Sequence, residues 1–543
     1  MTERPLCVDF YNWAGKTSHT VLDTHLGSGT GFLHTWAMWL DDPKRCARLH
    51  YVAVSDSQLL QNLPAHPLSD TLAVQLWGLY PGIHRISLNQ GNVLLTLAIP
   101  KMGEGLQAVL RALVCNADSV RAWFETGPNP YPDTDMLKAL ARHCVRGTRM
   151  ALGGCSPALR QTLQNLGFDV NANGQQAIYN PRWALHRQPL AVVQPSQALV
   201  IGAGLSGAAV AHSLACRGWQ VQVIDAAPQP AQGASSLPVG LLVPHVSPDD
   251  APLSRASRAG LRMTHQAAQA LLEVGTDWHP TPALRDGVLL PHAAWIKPQA
   301  LVRAWLNHSG IRFEGGRSVA RFHGVRDGDR LLWQALDAHS QVLAQAPLVV
   351  VCAAYAVAQL LPARGDEFTV LHQYLDEHLD QVAGQVAYGP WTAELAQCAP
   401  PHPISGHGHF IPNVPGVTGS ADAFWLSGST YERMPSNQLD APAGLQANRS
   451  RLNALLPQSA SAINQQFVSG LVQTWQAQRC TSRDRFPLAG QWLPGLYTST
   501  AMGSRGLTFA ALSAELLAAR LHGEPLPMEA RLARAFDVGR WSG

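Results

Sequence analysis

Three glycines, Gly202, Gly204 and Gly207, stand in the run GAGLSG with the spacing G-x-G-x-x-G, and an acid, Asp225, follows. In such a run the first glycine permits a tight turn and the second lets backbone approach a pyrophosphate. The third lets a helix pack on the preceding strand. Phosphate charge then rests on the helix N-terminus. An acid about twenty residues later can accept hydrogen bonds from ribose hydroxyls, which disfavours a 2′-phosphate. A ligand-free tight turn would also use these glycines, but a strand before them and a helix after them supply the context of a dinucleotide site. The motif alone does not separate FAD from NAD.

A second glycine-rich loop does. Met502-Gly503-Ser504-Arg505-Gly506 lies between a strand reading at Leu496 to Ser499 and a helix reading at Leu507 to Leu521. Backbone amides at such a helix start can face a flavin pyrimidine ring and stabilise negative charge on the reduced form. An NAD enzyme has no such need, so FAD is the expected cofactor. The plainer alternative is an ordinary helix start with a surface arginine.

These loops need elements to hold them. Ala198 to Ile201 reads as a buried strand, Leu205 to Arg217 as a helix and Val221 to Ile224 as a second strand, a β-α-β unit. Pro347 to Ala353 is a further apolar strand suited to a parallel sheet. Upstream, Thr20 to Arg187 reads as alternating strands and helices, with strands at His50 to Val54 and Val120 to Phe124. A connector from Tyr179 to Gln197, rich in Pro, Gln and Arg, puts a boundary near Pro195. The expected division is therefore 1–190, a linker at 191–197, and 198–543. In the last part the dinucleotide-binding pieces, about 198–250, 340–360 and 480–530, are interrupted by an inserted substrate domain.

At 543 residues, 46% of them apolar and 14% charged, the chain has material for two or three separately cored units and little for long disorder. A net charge of +3 without a basic block is neutral on nucleic acid. The nine cysteines show neither C-x-x-C pairs nor zinc-ligand spacing. With no signal-like or membrane-spanning apolar run near the start, reduced thiols and a cytoplasmic location are expected.

The segments GAGLSGAAVAHSLACRGWQVQVID, QGASSLPVGLLVPHVS, RCTSRDRFPLAG and AMGSRGLTFAALSAELLAARLHGEPLPM, in that order, resemble the glycine oxidase and D-amino acid oxidase type of flavoprotein. Over most of its length the chain resembles the bifunctional enzymes that complete 5-methylaminomethyl-2-thiouridine at the tRNA wobble position. The resemblance implies an α/β fold: an N-terminal Rossmann-like methyltransferase-type domain, then a Rossmann-type FAD-binding domain with an inserted α+β substrate domain. It implies tRNA as partner and FAD-dependent removal of the carboxymethyl group from 5-carboxymethylaminomethyluridine. S-adenosylmethionine would then supply a methyl group to the aminomethyl product.

Arg479 matches the family's carboxylate-binding arginine, and a guanidinium can grip both carboxylate oxygens; a structural pair with Asp484 is the alternative. Ser235 and Ser236, in the loop Gly233 to Ser236, and then Gly240 and Leu241, match the segment that lies along the flavin. Ala383-Gly384-Gln385 stands where the family usually has Arg-Gly-Gln, so one positive group is missing. His245, His407 and His409 fall in substrate-side loops and are assigned no role, since an arbitrary histidine is more often structural.

In the first part, VLDTHLGSGTG resembles the first motif of class I methyltransferases, with Asp23, Gly27 and Gly29 as the residues that would meet S-adenosylmethionine. Three departures imply impaired methyl transfer. The family carries tens of residues ahead of this motif that are not present here. Its ribose-binding acid falls on Ser55, beside Asp56, and its catalytic Asp-Gly falls on Thr126-Gly127, with Glu125 one position early. Two other readings stand beside the tRNA enzyme: a free amino acid oxidase of glycine or sarcosine type, and a noncatalytic FAD-containing RNA-binding protein. The oligomeric state, the tRNAs used and the electron acceptor are not read from the sequence.

Overall fold

The computed structural model describes residues 8–56, 62–122, 133–153, 155–185, 190, 192–328, 330–360, 375–416, 423–433 and 441–541. The chain folds into two compact units. One comprises Met1–Gln194 with Ala518–Arg534, the other Pro195–Leu517 with Ala535–Gly543.

The first unit is built on strands β1 (Ser18–Asp23), β2 (Arg48–Val54), β3 (Gly82–Leu88), β4 (Val93–Ile99), β5 (Ala117–Ala122), β6 (Cys144–Leu152), β7 (Phe168–Val170) and β8 (Gln176–Tyr179). They form one sheet in the order β3-β4-β2-β1-β5-β6-β8-β7. The central strands β4, β2, β1, β5 and β6 are parallel, and β3, β8 and β7 extend the two ends antiparallel. Both faces are covered. Val21 packs with Phe32, Leu49 and Tyr51 in one core cluster, and its neighbour Leu22 packs with Val52 and Val120 in the other. Successive side chains of β1 thus fill opposite faces. Strand order reverses at β1, so the crevice of this doubly wound sheet opens at the carboxyl ends of β1 and β5. Tyr179, read from the sequence as the start of the connector, ends β8 instead. Its ring is buried against Phe168, an apolar pairing that outweighs the turn-forming residues after it.

The second unit begins with β9 (Gln197–Ile201), the helix Leu205–Ala215 and β10 (Gln220–Ile224). Its six-stranded sheet runs Ile311–Glu314, β10, β9, Leu348–Val351, Leu496–Thr500, Leu488–Leu493. All but the last are parallel. Leu348–Val351 (LVVV) is buried throughout, as a central parallel strand must be. The order reverses at β9, which again places a crevice at the strands' carboxyl ends.

A second, mainly antiparallel sheet of eight strands occupies much of the chain between these pieces. In it Leu379–Pro390 pairs with Gln473–Ser482 over nearly its full length, which sets the register of Arg479 opposite Val382. The helix Gly506–His522 follows the last parallel strand. The whole is an α/β protein of two Rossmann-like sheets, the second interrupted by an α+β insertion. Among the described residues, no helix is long and apolar enough to cross a membrane.

Candidate active site

At the crevice of the second unit each glycine of the first loop serves a different contact. Gly202 has φ +104°, and a Cβ there would lie 2.6 Å from the Cys352 carbonyl oxygen. Its amide donates to Ile224 O at 2.8 Å, which ties the turn to β10. Gly204 caps the helix Leu205–Ala215 in extended conformation, and a Cβ on Gly207 would lie 1.8 Å from Gly202 O. Turn and helix therefore touch in a way only glycine permits.

Asp225, just beyond β10, accepts hydrogen bonds from Ala203 N at 2.6 Å and Ala227 N at 2.8 Å. Ser235 Oγ accepts from Leu205 N at 3.0 Å, so the loop Gly233–Ser236 is fixed to the helix start. Ser236 Oγ donates to Gly233 O and accepts from Trp475 Nε1 at 2.9 Å. Gly503, at φ +57°, opens the turn Gly503–Arg505, and an isolated bridge between Thr481 and Met502 sets this turn beside the strand that carries Arg479.

One cavity of about 920 Å³ is lined by Gly202, Gly204, Asp225, Ser235, Gly240, Gly503, Ser504, Arg505, Gly506 and Arg479. Gly207 and Ser236 stand behind this wall and support it. The lining suits FAD: a cradle that a Cβ would fill, and a helix start at each of two glycine loops.

Arg479 lies in the wall of the same cavity. Its Nη2 donates to Ser429 Oγ at 3.2 Å, and its Nη1 is buried with no hydrogen-bond partner. Burial lowers its pKa, opposed by Tyr431. Gly384, on the adjacent strand, leaves the guanidinium its room: a Cβ there would lie 2.7 Å from Nη2. Asp484 is not its partner. That carboxylate takes Arg540 in a two-pronged pair, Nε at 2.7 Å and Nη2 at 2.9 Å. Arg479 is thus a mostly buried cation facing a cavity, with hydrogen-bonding capacity to spare.

His409 lies in the same wall, on the strand Gly408–Val414 and opposite Gly428. Its Nε2 is buried without a partner, and burial together with Arg479 pushes its pKa down to about 4. In sequence it stood with His245 and His407 in the substrate-side loops and was given no role, because nothing in GHGHF separates His409 from His407. His407 and His245 are not part of the wall; His245 shares a hydrogen bond with Ser254 Oγ at 2.9 Å.

In the first unit Asp23 ends β1 at the sheet's reversal point, 1% exposed. Tyr51 OH donates to its Oδ2 at 2.5 Å, Arg121 Nε approaches the same oxygen at 3.2 Å, and His25 N donates to Oδ1 at 3.0 Å. Burial raises the Asp23 pKa while Arg121 and Tyr51 lower it, for a net rise. Gly27 and Gly29 have φ +56° and +88°, and Gly29 caps the helix Thr30–Asp41. A Cβ on Gly31 would lie 2.5 Å from Arg121 Nη2. Arg121, on the neighbouring parallel strand, was not anticipated from sequence. Ser55 is buried after β2, its amide donating to Ala98 O at 3.1 Å. Glu125, Thr126 and Gly127 lie outside the described residues.

A family model described as FAD dependent oxidoreductase matches residues 197–285 and 267–520. A relative from a Polaromonas species is 40% identical, covering 96% of this chain and 91% of its own length. One from an Acidovorax species is 40% identical over 98% and 92%, and one from Verminephrobacter eiseniae is 37% identical over 99% and 100%. All three bear the name tRNA 5-methylaminomethyl-2-thiouridine biosynthesis bifunctional protein MnmC. Among solved structures, glycine oxidase from Bacillus cereus aligns with a TM-score of 0.47 at 18% identity, covering 60% of this chain and 95% of that one.

Proposed function

The chain belongs to the family of tRNA 5-methylaminomethyl-2-thiouridine biosynthesis bifunctional proteins, and on that premise we propose that it oxidatively removes the carboxymethyl group from 5-carboxymethylaminomethyl-(2-thio)uridine at the tRNA wobble position. Its second unit is an FAD-dependent oxidoreductase. The observation that carries the assignment of substrate chemistry is Arg479: a buried guanidinium with an unpartnered nitrogen, in the cavity that also holds the dinucleotide fingerprint.

In this reading Gly202 and Gly204 hold the pyrophosphate, with Gly207 keeping helix against turn. Asp225 takes a ribose hydroxyl; its carboxylate has acceptor sites beyond the two backbone amides it already serves. Ser235, with Ser236 behind it, and Gly240 take one side of the flavin end, and Gly503, Ser504, Arg505 and Gly506 the other. FAD supplies the acceptor for the hydride that leaves the carbon between amine and carboxylate.

The chain's own residues supply position. Arg479 grips the carboxylate through Nη1 and its neighbour nitrogens. His409, held neutral by its surroundings, accepts a hydrogen bond from the amine through Nε2. Two fixed points, one on the carboxylate and one on the nitrogen, define the orientation of the carbon between them. Holding reactants in this way contributes roughly 7–11 kcal/mol to lowering a barrier. Water then adds to the resulting imine, the carbon–nitrogen bond breaks, and the aminomethyl nucleoside and glyoxylate are released.

We read the first unit as a methyltransferase-type fold in which S-adenosylmethionine-dependent methylation of that product is impaired. Asp23, with Gly27 and Gly29, is where the cofactor's ammonium would go. What supports impairment is that the Asp23 carboxylate already serves Arg121 and Tyr51 within the crevice.

Anaerobic mixing of flavin-loaded protein with tRNA bearing the carboxymethylaminomethyl group tests the oxidase. The expected result is bleaching of the flavin absorbance by this tRNA and little by glycine or sarcosine. Bleaching by the small amines alone would make it a free amino acid oxidase. Bleaching by neither would leave a noncatalytic flavin-containing protein.

A further inference from the structure

Three arginines from separate stretches of the second unit meet at one edge of the cavity. Arg505 lines it. Arg285 sits on the strand Ala283–Arg285, in register with Ser405, which also lines it. Arg485 follows the strand Gln473–Ser482, its amide donating to Ser482 O at 3.1 Å, and the bridge from Thr481 to Met502 sets this turn beside Arg505. Arg505 and His245 feel these charges: Arg485 and Arg285 add to burial in lowering Arg505, and all three add to burial in lowering His245.

Nearby acids do not neutralise this edge. Among the described residues Arg485 and Arg505 make no ion pair, and Arg285 faces only Asp286, 3.9 Å away and 81% exposed. Asp250 is taken by Arg255 and Arg258, and Asp484 by Arg540. Asp249 acts on His245 in the opposite sense. A small carboxymethylamine needs one cation, and Arg479 already provides it. Three further cations, held together against their repulsion and partly exposed, suit a ligand with several spaced negative charges.

We propose that Arg285, Arg485 and Arg505 form a rim that binds backbone phosphodiesters of an RNA loop whose modified base enters the cavity. This rests on the proposed function and specifies how its substrate is held. An enzyme acting on a base must draw that base out of its stack. Contacts to the flanking phosphates fix its position without reading sequence. Arg505 serves at the inner edge of the rim; Arg285 and Arg485 serve outside the cavity.

The test is the double variant Arg285→Gln with Arg485→Gln in flavin-loaded protein, compared with the parent. Equilibrium binding of tRNA bearing 5-carboxymethylaminomethyluridine is measured across a salt series, alongside oxidation of that tRNA and of the free 5-carboxymethylaminomethyluridine nucleoside. We expect tRNA affinity to fall on the order of tenfold, and the slope of log affinity against log salt to become shallower by about 1.4, two single-strand phosphate contacts' worth. Nucleoside oxidation and flavin content should be unchanged. Parent-like tRNA affinity and salt slope in the double variant would overturn the rim. Absence of oxidation by the parent would instead overturn the proposed function, and the binding series would still decide the rim.

Discussion

A guanidinium loses much on leaving water, so a protein that buries one without a counter-charge has a use for it. Arg479 is that case: its Nη1 has no partner, and the acid beside it in sequence, Asp484, is held by Arg540. Replacing Arg479 with Ala should lower kcat/KM for the carboxymethylaminomethyl tRNA by on the order of 10²- to 10³-fold, the cost of truncating one side of a buried charge pair. Flavin content should not change. A variant within threefold of the parent would mean that the carboxylate is held elsewhere. A smaller contribution is expected of His409. His409→Leu should cost about tenfold in kcat/KM, the worth of one hydrogen bond in a water-excluded site, and His409→Asn should restore part of it. Equal losses in both variants would point to packing rather than to contact with the amine.

Among the elements, the β-α-β unit from Gln197 to Ile224 was legible because its glycines are forced: turn, close approach and helix contact each exclude a side chain, and that exclusion shows in sequence. Gly207→Ala tests this at its tightest point. A methyl group cannot sit 1.8 Å from Gly202 O, so the turn must open, and flavin occupancy of the purified protein should fall by on the order of tenfold or more. Full occupancy would show that the turn tolerates the shift. Other elements were not legible. Arg121 reaches Asp23 from 98 residues away, across a parallel pairing that no local pattern encodes. His409 owes its buried nitrogen to the register of Gly408–Val414 against Phe424–Gly428, a pairing set by antiparallel neighbours rather than by its own sequence. The long strand Leu379–Pro390 has two internal glycines, and the space over Gly384 belongs to Arg479. Read along the chain, such a glycine suggests only a weak strand.

For the whole molecule, the charge state of buried histidines sets an acid limit. Burial pushes His19 in the first unit, and His265 and His409 in the second, down to about 4. In the unfolded chain they protonate near 6.5. Between those values the unfolded state binds more protons, so stability falls as pH drops from about 6.5 to 4. His143 runs the other way: burial opposes its charge, but Cys115 and the Leu110 carbonyl raise it to about 9. Its contribution is present below 6.5 and is lost as pH rises through 9. The depressed histidines outweigh His143 and predict a melting temperature several degrees lower at pH 5 than at pH 7, readable by circular dichroism. A flat profile across that interval would mean that these imidazoles stay solvated.

At this same scale the two Rossmann-like units are furnished differently, with a cavity lined by the glycine loops and Arg479 in the second and an acid engaged by Arg121 and Tyr51 in the first. The most direct measurement is mass spectrometry of the wobble nucleoside after tRNA bearing 5-carboxymethylaminomethyl groups is incubated with flavin-loaded protein, with and without S-adenosylmethionine. We expect conversion to the aminomethyl nucleoside in both cases, with little or no methylaminomethyl product. An unchanged carboxymethylaminomethyl nucleoside would contradict the oxidase, and efficient conversion to the methylaminomethyl form would contradict the reading of Asp23 and Arg121.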